Sequence, residues 1–320
     1  MFNFAHCFMD ILFVLSGLLL LVFGGDFLLK SAVGFANRLQ IPKIVIGMTV
    51  VSFATSAPEL IVSIRSAVEG HADIALGNVI GSNIANLGLV LAITILISPI
   101  QIKKNFYKTD WPIMMISSLL LYLFIAFDGI IDRIEGFVLF LFLLTVLIFL
   151  FKYQKTAVVD ELDSVEETKN SLLRDFSFLA IGGVGLWGGA ELLINGSIEI
   201  AKQFHVSERI IGITIVSVGT SVPELATSII AVMKKEKAIS LGNLIGSNMF
   251  NVLAVLGITS IIQPINVTDE GLMNSDIFWM LGISLLIFPL VFAPTRMKLA
   301  WKEGLILLGV YLCFLVFTLI

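Results

Sequence analysis

The chain has 320 residues, of which 58% are hydrophobic and 14% charged, with a formal net charge of −4. A soluble domain of this length carries about a quarter charged residues, so the composition argues against a water-soluble enzyme or binding module and for a polytopic membrane protein. Cys7 and Cys313 lie near opposite ends with no Cys-x-x-Cys or Cys/His cluster, so neither a disulfide framework nor zinc is indicated.

A helix needs about 20 mostly apolar residues to cross a bilayer. Charge-poor runs separated by polar breaks predict spans near 10–30, 41–66, 73–98, 111–127 and 134–152. Beyond an acidic stretch at 153–173, five more are predicted near 174–198, 207–232, 239–262, 277–293 and 302–320. The first run lacks a basic n-region and a small-residue cleavage site, so it is expected to remain as the first helix. The stretch 153–173 contains Asp160, Glu161, Asp163, Glu166 and Glu167. At that length it reads as a linker rather than a calcium-sensing tail. His6, His71 and His205 fall near span ends or in loops and read as interfacial residues.

Orientation follows from where Lys and Arg collect. With the N-terminus outside, the loops facing the cytoplasm hold 16 of the 20 basic residues, and the other side keeps Arg65, Arg133, Lys202 and Arg209. Ten spans then leave the C-terminus outside as well.

One segment occurs twice. Residues 47–60 (GMTVVSFATSAPEL) match 212–225 (GITIVSVGTSVPEL), and residues 77–86 (GNVIGSNIAN) match 242–251 (GNLIGSNMFN), all at an offset of 165 without a gap. The same offset pairs Asp26 with Glu191 and Pro99 with Pro264. The repeat unit holds five spans, an odd number, so the second copy enters the membrane from the opposite side. The expected architecture is therefore an all-α membrane protein of ten helices in two inverted five-helix repeats. The first repeat is 1–152, the linker 153–173 lies on the cytoplasmic side, and the second repeat is 174–320.

In the second span Ser52, Thr55, Ser56, Glu59 and Ser63 share one helical face, and the seventh repeats the stripe with Ser217, Thr220, Ser221, Glu224 and Ser228. Asn78, Ser82 and Asn86 recur every four residues in the third span, as do Asn243, Ser247 and Asn251 in the eighth. Lipid cannot satisfy such stripes, so they must face one another or a wet cavity. A charge at mid-bilayer costs about 2.5–3.5 kcal/mol on insertion scales and normally has a function and a partner. No Lys, Arg or His lies in mid-span to pair with Glu59 and Glu224. A bound cation supplies the missing charge best, and two carboxylates balance one divalent ion.

Pro58 and Pro223 each remove a backbone N–H and clash with the carbonyl four residues earlier, here Ala54 and Gly219. Broken helices near the midplane are where transporters coordinate cations. The donors on offer are all oxygens, which suits calcium with its roughly six to eight oxygen ligands, and sodium equally. No thiolate or imidazole is present for zinc or copper. Gly77-x-x-x-Gly81 and Gly242-x-x-x-Gly246 offer small faces for close helix approach. Asp26 and Glu191 are matched acids to which no site role is assigned.

The paired blocks resemble the α-repeats, here 47–86 and 212–251, of sodium/calcium exchangers in the cation/calcium antiporter superfamily, in their compact prokaryotic form. The resemblance implies eight core helices around the site, with the first and sixth long, tilted and sliding to alternate access. Carried over by motif position, it implies ligands at Thr55, Ser56, Glu59, Ser82 and Asn86 and at Thr220, Ser221, Glu224, Ser247 and Asn251, joined by the backbone carbonyls of Ser52 and Ser217. These would line one calcium site and neighbouring sodium sites that compete for the two glutamates. Potassium-dependent relatives carry Asp at one or both positions matching Asn86 and Asn251, so two Asn argue against potassium co-transport. The cytoplasmic calcium-binding region of animal exchangers is too large for 153–173.

The expected function is sodium-for-calcium antiport across the cytoplasmic membrane, with a proton/calcium antiporter using the same glutamates as the alternative and a cation channel behind it. Two glutamates could serve as acid and base, but no nucleophile, metal cluster or cofactor motif accompanies them, so an enzyme is not expected. The expected partners are sodium, calcium and the lipid bilayer, with no cofactor, no nucleic acid and a functional monomer.

Overall fold

A computed structural model of the chain describes residues 4–153, 171–203 and 217–319. Most of the linker at 153–173, the opening of the span expected at 207–232, and His205 fall outside the described residues. The side chains of His6, Cys7 and Ser217 do so too. Among the described residues, eight helices are long and apolar enough to cross a membrane, or nine with one bent pair taken as a single span.

The elements follow the apolar runs. They are α1 (Phe4–Leu39), α2 (Lys43–Thr55), α3 (Ala57–Val68), α4 (Ala72–Ile97), α5 (Phe106–Asp128) and α6 (Arg133–Tyr153). After the linker come α7 (Leu172–Gln203), α8 (Val222–Met233), α9 (Lys237–Ile262), α10 (Leu272–Leu290) and α11 (Trp301–Leu319). Two short antiparallel pairs clip loops together: β1 (Ile100–Gln101) with β4 (Lys298–Leu299), and β2 (Ile130–Ile131) with β3 (Ile265–Asn266).

The sequence repeat is also a repeat of structure. α8 and α9 start 165 residues after α3 and α4, and β3 starts 165 after β1. Even the chain reversals match. His71 N–H bonds the carbonyl of Ser66 and Glu236 N–H that of Ala231, each around a left-handed residue, Gly70 or Lys235.

Helices α4 and α9 form the centre, with 72% and 83% of their apolar windows buried, against 22–33% for the other spans that cross alone. The second copy of the small-residue motif brings α2 onto α9. A Cβ on Gly242 would stand 2.2 Å from the carbonyl oxygen of Ile44, and one on Gly246 would stand 2.5 Å from the backbone of Met48. The equivalent partners of Gly77 and Gly81 lie at 209–213, outside the described residues.

The first helix runs well past the 10–30 expected for it. At 36 residues and 1.5 Å per residue it measures about 54 Å, against a hydrocarbon core of about 30 Å, so it must tilt or project. The extension is stable because its charged residues find partners. Asp26 pairs with Lys30 and Lys234, and Arg38 donates two hydrogen bonds of 3.2 Å to Asp175. Along its length α1 packs against α7, which runs the other way. Gly17 meets Gly189 and Leu193, Gly24 meets Gly182 and Leu186, and Gly34 meets Asp175. Glycine is required there because backbone touches backbone: a Cβ on Gly182 would stand 2.6 Å from the amide nitrogen of Leu28. Gly183, one residue on, has open space beside it. Gly182→Ala should therefore cost about 1–3 kcal/mol by overpacking and lower the unfolding temperature of the detergent-solubilised protein. Gly183→Ala should leave that temperature unchanged.

Candidate functional site

The break between α2 and α3 sits at Ser56, and the two segments bend by 46°. Ser56 takes φ −87° and ψ 4°, and its counterpart Ser221 takes φ −88° and ψ 4° immediately before α8. In both, proline follows two residues later, inside the first turn of the new helix, where a missing N–H is tolerated. Proline thus ends one helix and opens the next, and the glutamate after it lies in the first turn, where the helix dipole favours a negative charge. The chain breaks where the sequence predicts. The carbonyl of Ser52 is not released by the break, because it still accepts the amide of Ser56 at 2.8 Å.

Glu59 and Glu224 are both fully buried and lie within electrostatic reach of each other. Neither forms an ion pair with a described residue. Both oxygens of Glu59 and Oε2 of Glu224 lack any hydrogen-bond donor among the described residues, while Oε1 of Glu224 is 3.5 Å from the Ser56 hydroxyl. Buried polar atoms are almost always partnered, so three orphaned carboxylate oxygens at one place need a reason.

The expected ligand residues gather here from both halves. Thr55 Oγ1 lies 3.3 Å from Ser247 Oγ, and the equivalent pair, Ser82 Oγ and Thr220 Oγ1, lie 3.2 Å apart. Ser52, Thr55, Ser56, Ser82, Ser221, Ser247, Asn86 and Asn251 are buried, and Thr220 is half-buried. Asn86 and Asn251 each open a π-helical turn, Asn86–Leu91 in α4 and Asn251–Leu256 in α9. Such turns widen the helix by one residue and recur at functional sites. The turn at Asn251 packs against α3, which carries Glu59, and the turn at Asn86 packs against α8, which carries Glu224. Each glutamate-bearing helix therefore packs against a turn opened by an asparagine of the opposite half.

Many of the surrounding donors point elsewhere. Ser52 Oγ gives its proton to a backbone carbonyl, with those of Gly47 and Asn243 each at 2.9 Å. Asn78 Nδ2 reaches Ser63 Oγ at 3.1 Å, and its counterpart Asn243 Nδ2 reaches Ser228 Oγ at 3.5 Å. Thr55 donates to Asn243 Oδ1 at 3.1 Å. Buried without a partner among the described residues are three carboxylate oxygens, the amide oxygen of Asn251, both amide atoms of Asn86 and the hydroxyl of Ser221. No cluster of three or more His, Cys, Asp or Glu occurs among the described residues, so hydroxyls and amides complete whatever coordination two carboxylates begin. Such a shell is hard, neutral apart from the glutamates, and matched to calcium or sodium.

Asn83 and Asn248 were not singled out as site residues, although each stands in a repeated block. They are buried and bond reciprocally, Asn83 Nδ2 to the carbonyl of Asn248 at 3.2 Å and Asn248 Nδ2 to that of Asn83 at 3.1 Å. Their one signal in the sequence is duplication at the same offset, off the four-residue stripes. Asp26 and Glu191 lie away from the glutamates, Asp26 in its lysine pairs and Glu191 accepting from Asn195 at 3.0 Å.

The family model for sodium/calcium exchanger proteins matches residues 9–152 and 175–320. The protein CaxA of Alkalimonas amylolytica is 37% identical over 314 residues, spanning 94% of this chain and 96% of that one. The sodium/calcium exchanger MaX1 of Methanosarcina acetivorans is 31% identical over 346 residues, covering 96% of this chain and 97% of its own. The solved structure of the sodium/calcium exchanger from Methanococcus jannaschii superposes with a TM-score of 0.80 at 28% identity, over 97% of this chain and 98% of that one. The match to the family model over nearly the whole chain, with these relatives, shows that the chain belongs to the sodium/calcium exchanger family.

Proposed function

We propose that the protein exchanges sodium for calcium across the cytoplasmic membrane by alternating access, with Glu59 and Glu224 as the charges for which the ions compete. The observation that carries this reading is three of four carboxylate oxygens, fully buried and without a protein donor among the described residues. Thr55, Ser56, Ser82 and Asn86, with Thr220, Ser221, Ser247 and Asn251, complete the shell, and the backbone carbonyls of Ser52 and Ser217 border it. Either ion neutralises the same two groups, so occupancy is mutually exclusive and the fluxes are coupled.

In this reading ten spans form two inverted five-helix repeats, 1–152 and 174–320, joined by a cytoplasmic linker at 153–173. The 165-residue offset shared by α3 and α8 and by α4 and α9 supports it, as does the antiparallel course of α1 and α7. The N- and C-termini lie outside, and one chain is the working unit, since both glutamates come from the same polypeptide.

The deciding experiment is calcium flux into proteoliposomes under an imposed sodium gradient. Sodium-driven uptake is expected. Uptake that ignores sodium and follows a pH jump would replace sodium with protons as the counter-ion, and a flux that needs no counter-ion would point to a channel. Glu59→Gln and Glu224→Gln should each abolish exchange while the protein still elutes as a folded species from a size-exclusion column. Retained exchange in either folded variant would remove that residue as a charge partner of the ion. Because amides stand at both 86 and 251, calcium flux should be the same with and without potassium. A potassium requirement would contradict the site composition proposed here.

A further inference from the structure

An asparagine can coordinate a cation only through its oxygen, so which end of the amide faces the ion decides whether it is a ligand or a repulsive dipole. In this structure the answer for Asn251 is set two residues away. A backbone carbonyl can only accept a hydrogen bond. Asn83 Nδ2 therefore has to face the carbonyl of Asn248, which lies 3.2 Å away, with Met280 Sδ as a second acceptor at 3.6 Å. That leaves Asn83 Oδ1 on the other side, where it accepts Asn251 Nδ2 at 3.1 Å. Asn251 has then turned the nitrogen end of its amide to Asn83, and its oxygen, at the other end, is buried and without a partner among the described residues. The turn that carries it packs against the helix of Glu59.

From this chain of forced polarities we infer that Asn83 is a positioning residue, which holds the carbonyl oxygen of Asn251 toward the cation by way of a backbone carbonyl that cannot reverse its role. The inference rests on the proposed ion site. The mirror-related pair behaves differently: Asn248 Nδ2 is anchored on the carbonyl of Asn83 at 3.1 Å, yet Asn248 Oδ1 and both amide atoms of Asn86 have no partner among the described residues. The relay is thus closed on one half of the site and open on the other, although the residues are identical.

A carboxylate offers oxygen at both ends and needs no orienting. This makes a double-mutant cycle diagnostic. Calcium chloride is titrated calorimetrically into the full-length, detergent-solubilised protein, and folding is followed by thermal unfolding. Asn83→Leu should weaken calcium binding about tenfold in the Asn251 protein, the worth of one misdirected buried polar group. In the Asn251→Asp background the same substitution should weaken it by less than about twofold. Asn83→Ser, whose hydroxyl rotates and keeps no fixed polarity, should behave alike and serves where leucine disturbs folding. Equal losses in both backgrounds would reduce Asn83 to a packing residue and overturn the relay. Unchanged affinity on Asn83→Leu, with a loss on Asn251→Ala, would overturn it while leaving the ion site intact. Calcium binding that survives both Asn251→Ala and Glu59→Gln would instead sink the ion site itself, and the relay with it.

Discussion

The molecule is arranged around two buried carboxyl groups, one from each of its matched halves, with which no described basic residue pairs. Glu59 and Glu224 are fully buried, no described Lys, Arg or His pairs with either, and three of their four oxygens have no donor. Removing a carboxylate from water costs several kcal/mol even after the protein relaxes. Salt bridges elsewhere show that the chain has cations to spend: Lys43 on Glu236, Arg38 on Asp175, Lys30 and Lys234 on Asp26. They are spent near helix ends and on α1. The neighbouring donors are likewise turned outward, Ser52 to backbone and Asn78 and Asn243 to serines. Acceptor oxygen therefore predominates at the site, the composition that the proposed cation would need, and the surrounding residues contribute to that polarity along with the glutamates.

The fold separates what holds this site from what surrounds it. Backbone contacts at Gly242 and Gly246 lock α2 onto α9, and the reciprocal amides of Asn83 and Asn248 tie α4 to α9. These are short-range and directional, and they leave little room for adjustment. α1 and α7 are different. Their windows are 28% and 22% buried, they meet each other along glycine-lined backbone, and polar pairs such as Asp26–Lys234 tie α1 to its neighbours. These two helices therefore pack chiefly on each other and leave most of their apolar surface facing outward.

Much of this was readable from residues alone because membrane insertion makes patterns strict. The duplicated Thr-Ser-x-Pro-Glu blocks placed the helix breaks correctly, since proline has a fixed steric effect that does not depend on its neighbours. The polar stripes were legible because lipid tolerates no unsatisfied group. Three things were not. The length of α1 was underestimated because a hydropathy reading stops at Asp26 and Lys30, and cannot see that Lys234 and Asp175 lie opposite. The π-helical turns at Asn86 and Asn251 depend on how each helix packs and have no residue signature. Asn83 and Asn248 were passed over because they sit off the four-residue stripe. Their importance appears only when two helices from opposite halves cross and each amide finds the other's backbone.

The difference between the two halves of the site follows from the same chemistry. Two copies of one motif would be expected to make the same bonds. Yet Ser56 reaches Glu224 while Ser221 makes no bond to Glu59, and Asn83 reaches Asn251 while Asn248 does not reach Asn86. In both cases the contact made is to a residue of the second half, Glu224 or Asn251, and the contact lacking is to its counterpart in the first. Under the alternating access proposed above, the halves of an inverted pair exchange roles when the opening changes face, so such a difference is expected of any one arrangement. Matching residues then need no difference in sequence to behave differently. On that proposal the bonds closed in the second half would open as their counterparts in the first half close, with the same residues serving both arrangements.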